Sequence, residues 1–240
     1  MKFLDKENSI EILFSDNHLF IVNKPAGLLT QPNDTDEQNL EDLAKAWIKK
    51  TDQKPGKVFL HCIHRIDKPV SGIVIFARTS KSLSRMSEQV RNQKIDREYL
   101  AIVQGLLSPK KGRLEHYLAH SSHKAKVYKE PKENAKLATL QYEVIEDWNN
   151  YSLLKIQLET GRYHQIRAQL SYIGHPIVGD EKYGEDTKFA KGVICLHQYQ
   201  ISFEHPVKKE KCTVQAKWDL LQNLQFLSPK IRNEIAKLME

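Results

Sequence analysis

His61-Cys62-Ile63-His64-Arg65-Ile66-Asp67-Lys68-Pro69-Val70-Ser71-Gly72 runs without a break into the apolar segment Ile73-Val74-Ile75-Phe76. One acid stands between two cations, turn formers follow it, and the stretch ends where a buried strand is expected to begin. A carboxylate beside Arg or Lys is favoured in its ionised form, and loops held by a rigid scaffold are where reacting groups tend to sit. Asp67 is therefore the first candidate for a reactive group. The same residues also compose an ordinary solvated turn, and the loop by itself does not choose between the two.

On the N-terminal side, Ile10 to Phe14 and His18 to Asn23 read as two strands parted by Ser15-Asp16-Asn17 and closed by Pro25-Ala26-Gly27. A helix is expected from Leu40 to Lys50, capped by Asn39, with Leu40, Leu43, Ala44, Trp47 and Ile48 at helical spacing. On the C-terminal side the strand runs through Ala77. A second helix, opened by Ser80, turns Leu83, Met86 and Val90 toward the sheet. Arg97 to Val103, Gly112 to Ala119, Ala138 to Ile145, Tyr151 to Leu158 and a stretch between Val193 and Phe203 carry further strand patterns.

A helix from Tyr163 to Ile173, with Ile166, Leu170 and Ile173 as its buried side, ends at Gly174. The tail offers a strand at Thr213 to Lys217. Beyond it lies a helix with Ser228 as cap, Pro229 at its first position and Ile231, Ile235 and Leu238 as its stripe. His120 to Lys136, basic and without a sustained apolar period, reads as a surface loop or an RNA-facing flap.

The 240 residues are 40% apolar, enough for a real core, and no run is long and apolar enough to span a bilayer. Acids near Met1 stand where a secretory signal would place apolar residues, so a cytoplasmic protein without membrane contact is expected. Three cysteines, Cys62, Cys195 and Cys212, lack CxxC spacing, which argues against disulfides and structural zinc. A net charge of +7 favours a polyanionic partner, with nucleic acid in the lead, but names no chemistry.

Three polar segments stand at the margins of these elements. Beside the Asp67 loop, Arg97-Glu98-Tyr99 places Arg97 and Tyr99 on one side of a strand, so that Tyr99 offers a ring for stacking and a hydroxyl for proton handling, or is simply a half-buried strand tyrosine. In Thr160-Gly161-Arg162-Tyr163-His164-Gln165-Ile166-Arg167, a turn opens a helix and gathers Arg162, His164, Gln165 and Arg167 as donors, with Arg167 a cation able to reach a neighbouring loop. His61, Cys62 and His64 have no second cluster to complete a metal site. Glycine-rich phosphate loops are absent, and the Asp of a kinase catalytic loop would directly follow Arg65. A cofactor-free site built on a carboxylate remains.

Together the segments resemble the RluA-type family of pseudouridine synthases. Its His-Arg-Leu-Asp loop, followed by Thr-Ser-Gly-Leu, corresponds to His64-Arg65-Ile66-Asp67 with Val70-Ser71-Gly72-Ile73. Its basic-x-Tyr motif corresponds to Arg97-Glu98-Tyr99, and its Gly-Arg-Thr-His-Gln-Leu/Ile-Arg to Gly161 through Arg167. Ile21-Val-Asn-Lys-Pro-Ala-Gly27, Lys136-Leu-Ala-Thr139, Gly174-His-Pro-Ile-Val-Gly-Asp180, Leu196-His197 and His205-Pro206 extend the likeness in order over residues 10 to 215. Val70 and Tyr163 each replace a usual Thr, and Gln198 replaces a frequent Ala.

The resemblance implies an α+β fold: one catalytic domain over 1–240, with its core at about 10–215, a mixed and largely antiparallel sheet, flanking helices and a central basic cleft. The first expected hairpin starts close to Met1, so the separate N-terminal RNA-binding domain that some relatives have is not expected. The implied activity is an isomerase that converts uridine to pseudouridine in structured ribosomal or transfer RNA. Asp67 acts as nucleophile at C1′ or as base at C2′, Arg167 pairs with it, and Tyr99 stacks on the flipped base. His64, Arg65, Arg97, Arg162, His164 and Gln165 serve RNA contact, and Leu196 the apolar side of the pocket. No metal or organic cofactor is implied, and a monomer is the simplest state. The rival from another class is a catalytically silent RNA-binding or RNA-chaperone protein of the same fold.

Overall fold

The computed structural model describes residues 2–4, 9–184 and 192–218. In chain order its elements are β1 (Lys2–Leu4), β2 (Ser9–Ser15), β3 (Leu19–Lys24), α1 (Leu40–Thr51), β4 (His61–Cys62), β5 (Ser71–Ala77), α2 (Ser80–Arg91), β6 (Asp96–Gln104), β7 (Lys111–Ser121), β8 (Lys124–Tyr128), β9 (Lys136–Trp148), β10 (Tyr151–Leu158), α3 (Gln165–Tyr172), a 3-10 turn at Glu181–Tyr183, β11 (Leu196–Glu204) and β12 (Lys211–Gln215). The described residues up to 95, with 200–217, form one compact unit, and 96–199 with 218 form another.

In the first unit the strand order is β1-β2-β3-β5-β11, with β4 on β5 and β12 on β11. β3 and β5 are buried at every position, which accounts for their unbroken apolar runs. On one face Leu19, Ile21, Ile73 and Ile75 pack with Met86 of α2. On the other, Phe20 stacks on Trp47 of α1 at 5.6 Å. Asn39 caps α1 as expected, its side chain accepting from the Asp42 amide at 3.0 Å. α2 differs from expectation: Ser82, Met86 and Gln89 form its buried stripe and Leu83 is only half-buried. Gln89 accounts for the rotation, since its carboxamide bonds both backbone groups of Glu204 in β11, at 2.8 and 3.0 Å.

The second unit runs β11-β6-β10-β9-β7-β8, and every register assigned within it is antiparallel. The expected α+β class with a largely antiparallel sheet therefore holds. The expected loop at His120 to Lys136 is corrected: residues 124–128 form β8, paired with β7 through a turn at Ser122 and His123. Pairing satisfies the backbone there, while Ala125 and Val127 pack in a cluster with Ala138 and Ala168 and the lysines between them face out.

α3 starts at Gln165 and not at Tyr163, because His164 takes a left-handed conformation at φ 53° and ψ 27°. Its first six residues are all buried, where one apolar stripe was expected. Gly174 follows its end as anticipated, with φ 85°. The tail strand lies at Lys211–Gln215, two residues early, and the expected helix after Ser228 falls outside the described residues.

Candidate active site

In the first unit, pairing of β4 with the end of β5 carries the chain into the Asp67 loop, and the Ile63 amide donates to the Ile75 carbonyl at 2.8 Å. Asp67 is half-buried between two anchors, Ile66 and Val70, which are 7% and 2% exposed. Val70 thus fills core where the family pattern places a hydroxyl. A turn closes on Asp67 as its carbonyl accepts from the Val70 amide at 3.0 Å. Gly72 then enters β5 at φ 122°, a conformation that side chains rarely adopt, so the glycine of the motif is a backbone requirement.

A second loop clamps the first. The Thr30 hydroxyl donates to the Ile66 carbonyl at 2.8 Å, and the Gly27 amide to the Lys68 carbonyl at 2.8 Å. Lys24, fully buried, donates from Nζ to the carbonyls of Leu28, Pro25 and Lys68 at 2.7, 2.9 and 3.2 Å. Burial pushes its ammonium down to about 7, against the upward pull of the Asp67 charge. Of the two cations flanking Asp67 in sequence, Lys68 pairs with Glu37 at the surface and Arg65 is exposed. His64, half-buried, meets the Ile73 carbonyl through Nε2 at 3.2 Å. Cys62 hydrogen-bonds Gln31 Oε1 at 2.9 Å, and burial pushes its thiol up to about 11, which leaves it unreactive as a nucleophile at neutral pH.

In the second unit, Tyr99 lies 6% exposed in β6, opposite Ile156 of β10, which is opposite Tyr142 of β9. Ala138 shares that face of β9 and packs against Ala168, so α3 covers the sheet face that carries Tyr99. The Tyr99 hydroxyl donates to Gln198 Oε1 at 2.9 Å, which puts Gln198 and, two residues before it in β11, Leu196 on the same face. Arg97 belongs there too. A Cβ on Gly161 would stand 2.6 Å from Arg97 Nη1, so the glycine of the third motif leaves space for the guanidinium.

The turn before α3 is braced from within. Gln165 Oε1 accepts from the Arg162 amide at 3.0 Å and the Thr160 hydroxyl at 2.8 Å, while its Nε2 donates to the Thr139 carbonyl at 3.0 Å. Gln165, 3% exposed, therefore fixes the turn, and Arg162, half-buried with Nε on the Leu137 carbonyl at 2.9 Å, is what the turn presents. His164 is also buried, its Nδ1 2.9 Å from the Tyr183 hydroxyl, and stacks on the exposed ring of Tyr163 at 3.8 Å. Arg167, 4% exposed, makes a two-point ion pair with Asp180: Nε to Oδ2 at 2.7 Å and Nη2 to Oδ1 at 2.8 Å. Its guanidinium also lies 5.2 Å over the Tyr183 ring. Asp180 is held by the preceding segment, whose Val178 amide bonds the Ile102 carbonyl of β6 at 2.9 Å.

Lys24, Asp180, Tyr183 and Gln198 received no role from the sequence. Lys24 had a signal, a lysine ending a strand that is otherwise apolar apart from Asn23. Asp180 had one as well, an acid closing a Gly-Asp turn after an apolar pair. Neither signal says which cation or carbonyl will be met.

The sequence profile described as RNA pseudouridylate synthase matches residues 18–172, which include the Asp67 loop, Tyr99 and the turn opening α3. The ribosomal large subunit pseudouridine synthase D of Borreliella burgdorferi is 30% identical over 199 residues, 81% of this chain and 61% of that protein. The tRNA pseudouridine synthase C of Haemophilus ducreyi is 32% identical over 236 residues, 89% of this chain and 95% of that protein. In fold, the human RNA pseudouridylate synthase domain containing 4 superposes with a TM-score of 0.73 at 22% identity, over 95% of this chain and 92% of that one. This chain belongs to the RluA-type family of RNA pseudouridine synthases, isomerases that act on uridine in RNA.

Proposed function

We propose that this protein converts particular uridines of structured ribosomal or transfer RNA to pseudouridine, with Asp67 as the reacting carboxylate. The observation that supports this most is that one family match spans three segments, each built around an ordered polar group: the clamped loop of Asp67, the strand of Tyr99 and the helix of Arg167. In the reaction the C1′–N1 bond breaks, the uracil turns, C1′ bonds to C5, the C5 proton leaves and N1 takes one up. Asp67 serves either as nucleophile at C1′ or as base at C2′. Tyr99 stacks on the flipped base and receives the C5 proton, Leu196 lines the apolar side, and Arg167 is the counter-cation of the carboxylate.

Arg65, exposed beside Asp67, fills the space that the base leaves or contacts neighbouring nucleotides. His64, Arg97, Arg162 and His164 bear on RNA, and Gln165 acts through the turn it braces. Both units are read as parts of one catalytic domain of about residues 10–215 that works as a monomer without metal or organic cofactor. Comparing pseudouridine across all stable RNAs from cells with and without the gene tests the reading. Loss of one or a few sites in ribosomal or transfer RNA, restored by wild type and not by Asp67→Asn, is the expected result. An unchanged map, with salt-sensitive RNA binding retained, would favour the silent RNA-binding protein.

A further inference from the structure

We propose that Gln198 is a specificity-determining residue of the base site, its side-chain NH2 donating to a carbonyl oxygen of the flipped uracil while its carbonyl oxygen holds the hydroxyl of Tyr99. This rests on the reading of Tyr99 as the residue that faces the base. Gln198 lies in β11, fully buried, and its Oε1 accepts from the Tyr99 hydroxyl at 2.9 Å. The other end of the same amide is different: Nε2 is buried with no hydrogen-bond partner among the described residues. A buried donor left without an acceptor is costly, so an acceptor brought to it by a ligand would be worth binding energy.

Placement argues for the base as that ligand. Leu196, two residues earlier, shares the strand face, and the tyrosine whose hydroxyl fixes the carboxamide is the ring proposed to stack on uracil. Uracil brings two carbonyl acceptors, which a carboxamide NH2 at the edge of the stacking ring matches. Gln165 makes the contrast clear. That carboxamide, on the same side of the unit, is satisfied at both ends by Thr160, Arg162 and Thr139 and reads as a structural brace.

The test follows release of tritium from C5 in single turnover, using uridine-labelled total RNA from cells that lack the gene. Wild type is compared with Gln198→Met, which keeps the shape without hydrogen bonding, and with Gln198→Glu. Gln198→Met is expected to release tritium about ten- to a hundred-fold more slowly, as for loss of one buried hydrogen bond to substrate. Glu accepts from Tyr99 in either protonation state but donates only while protonated, and burial raises its pKa into the assay range. The rate of Gln198→Glu relative to wild type should therefore fall by about ten-fold or more between pH 6 and 9.

A ratio that stays flat or rises with pH would mean that Gln198 serves only as an acceptor for Tyr99, and would overturn the proposal. So would a wild-type rate in Gln198→Met, or failure of both variants to fold by circular dichroism. Absence of release by wild type would instead count against the uridine reaction itself.

Discussion

Replacing Asp180 with Ala removes both oxygens from a guanidinium that is nearly enclosed. The side chains of Arg167 and Asp180 are 5% and 1% exposed, and both contacts, at 2.7 and 2.8 Å, are short enough for charge-assisted hydrogen bonds. Breaking a buried pair on one side typically costs about 3–5 kcal/mol, because the remaining charge keeps its burial and loses its two-point partner. For a chain of this length each kcal/mol lowers the melting midpoint by about 2–4 °C, so a fall of roughly 6–20 °C is expected. Asp180→Asn, which keeps the shape and one acceptor, should lie between wild type and Ala.

Replacing the whole pair by Arg167→Met with Asp180→Leu should recover most of the stability, since apolar substitutes of similar volume are often neutral or better. It should not recover tritium release, because Arg167 is proposed to act on the carboxylate. Urea unfolding followed by circular dichroism measures the first effect and tritium release the second. A cost below about 1 kcal/mol for Asp180→Ala, or a double variant no more stable than the single one, would refute the reasoning.

Two other perturbations test the clamps around the site. The unfolded chain keeps the Lys24 proton up to about 10.5 and the folded chain only to about 7, so the contribution of this group to stability rises with pH across that window. Lys24→Met should flatten that part of the urea-derived stability profile, and an unchanged slope would contradict the assignment. Gly161→Ala meets only the far end of Arg97, so it should cost under about 1 kcal/mol by displacing the guanidinium. RNA affinity should weaken and its dependence on log salt should become shallower by up to about one ion; a large loss of stability would show that the backbone, not Arg97, is what the glycine serves.

The sequence was most legible where one physical cause dominates. A continuous apolar run marked β5 as a buried strand, and Asn39 marked the start of α1. It was least legible where tertiary partners decide. The Lys-Ala-Lys-Val alternation of residues 124–127 is a strand signal, but the charge around it suggested a loop, and only pairing with β7 and packing beneath α3 turns it into β8. α3 reads as amphipathic, yet Arg167 and Gln169 are buried, where Asp180 pairs with the guanidinium and the Ala138 carbonyl of β9 accepts from Gln169 Nε2, both from outside the helix.

Within the site, the three motifs were visible as residue types, whereas the structure adds what fixes them in place. Thr30, Gly27 and Lys24 clamp the Asp67 loop, Gln165 braces the turn before α3, and Asp180 orients Arg167. Apart from Gln165, which belongs to the third motif, these partners stand outside the motifs in the chain. Periodicity and local spacing carry no information about such contacts.

The most direct measurement of the central claim is tritium release from RNA labelled at C5 of uridine, comparing wild type with Asp67→Asn. Asn keeps nearly the same shape but cannot act as a carboxylate nucleophile or base. Release by wild type, and none above background by a folded Asp67→Asn that still binds RNA, is the predicted result. Equal release by the two proteins would remove Asp67 from the chemistry and contradict the account.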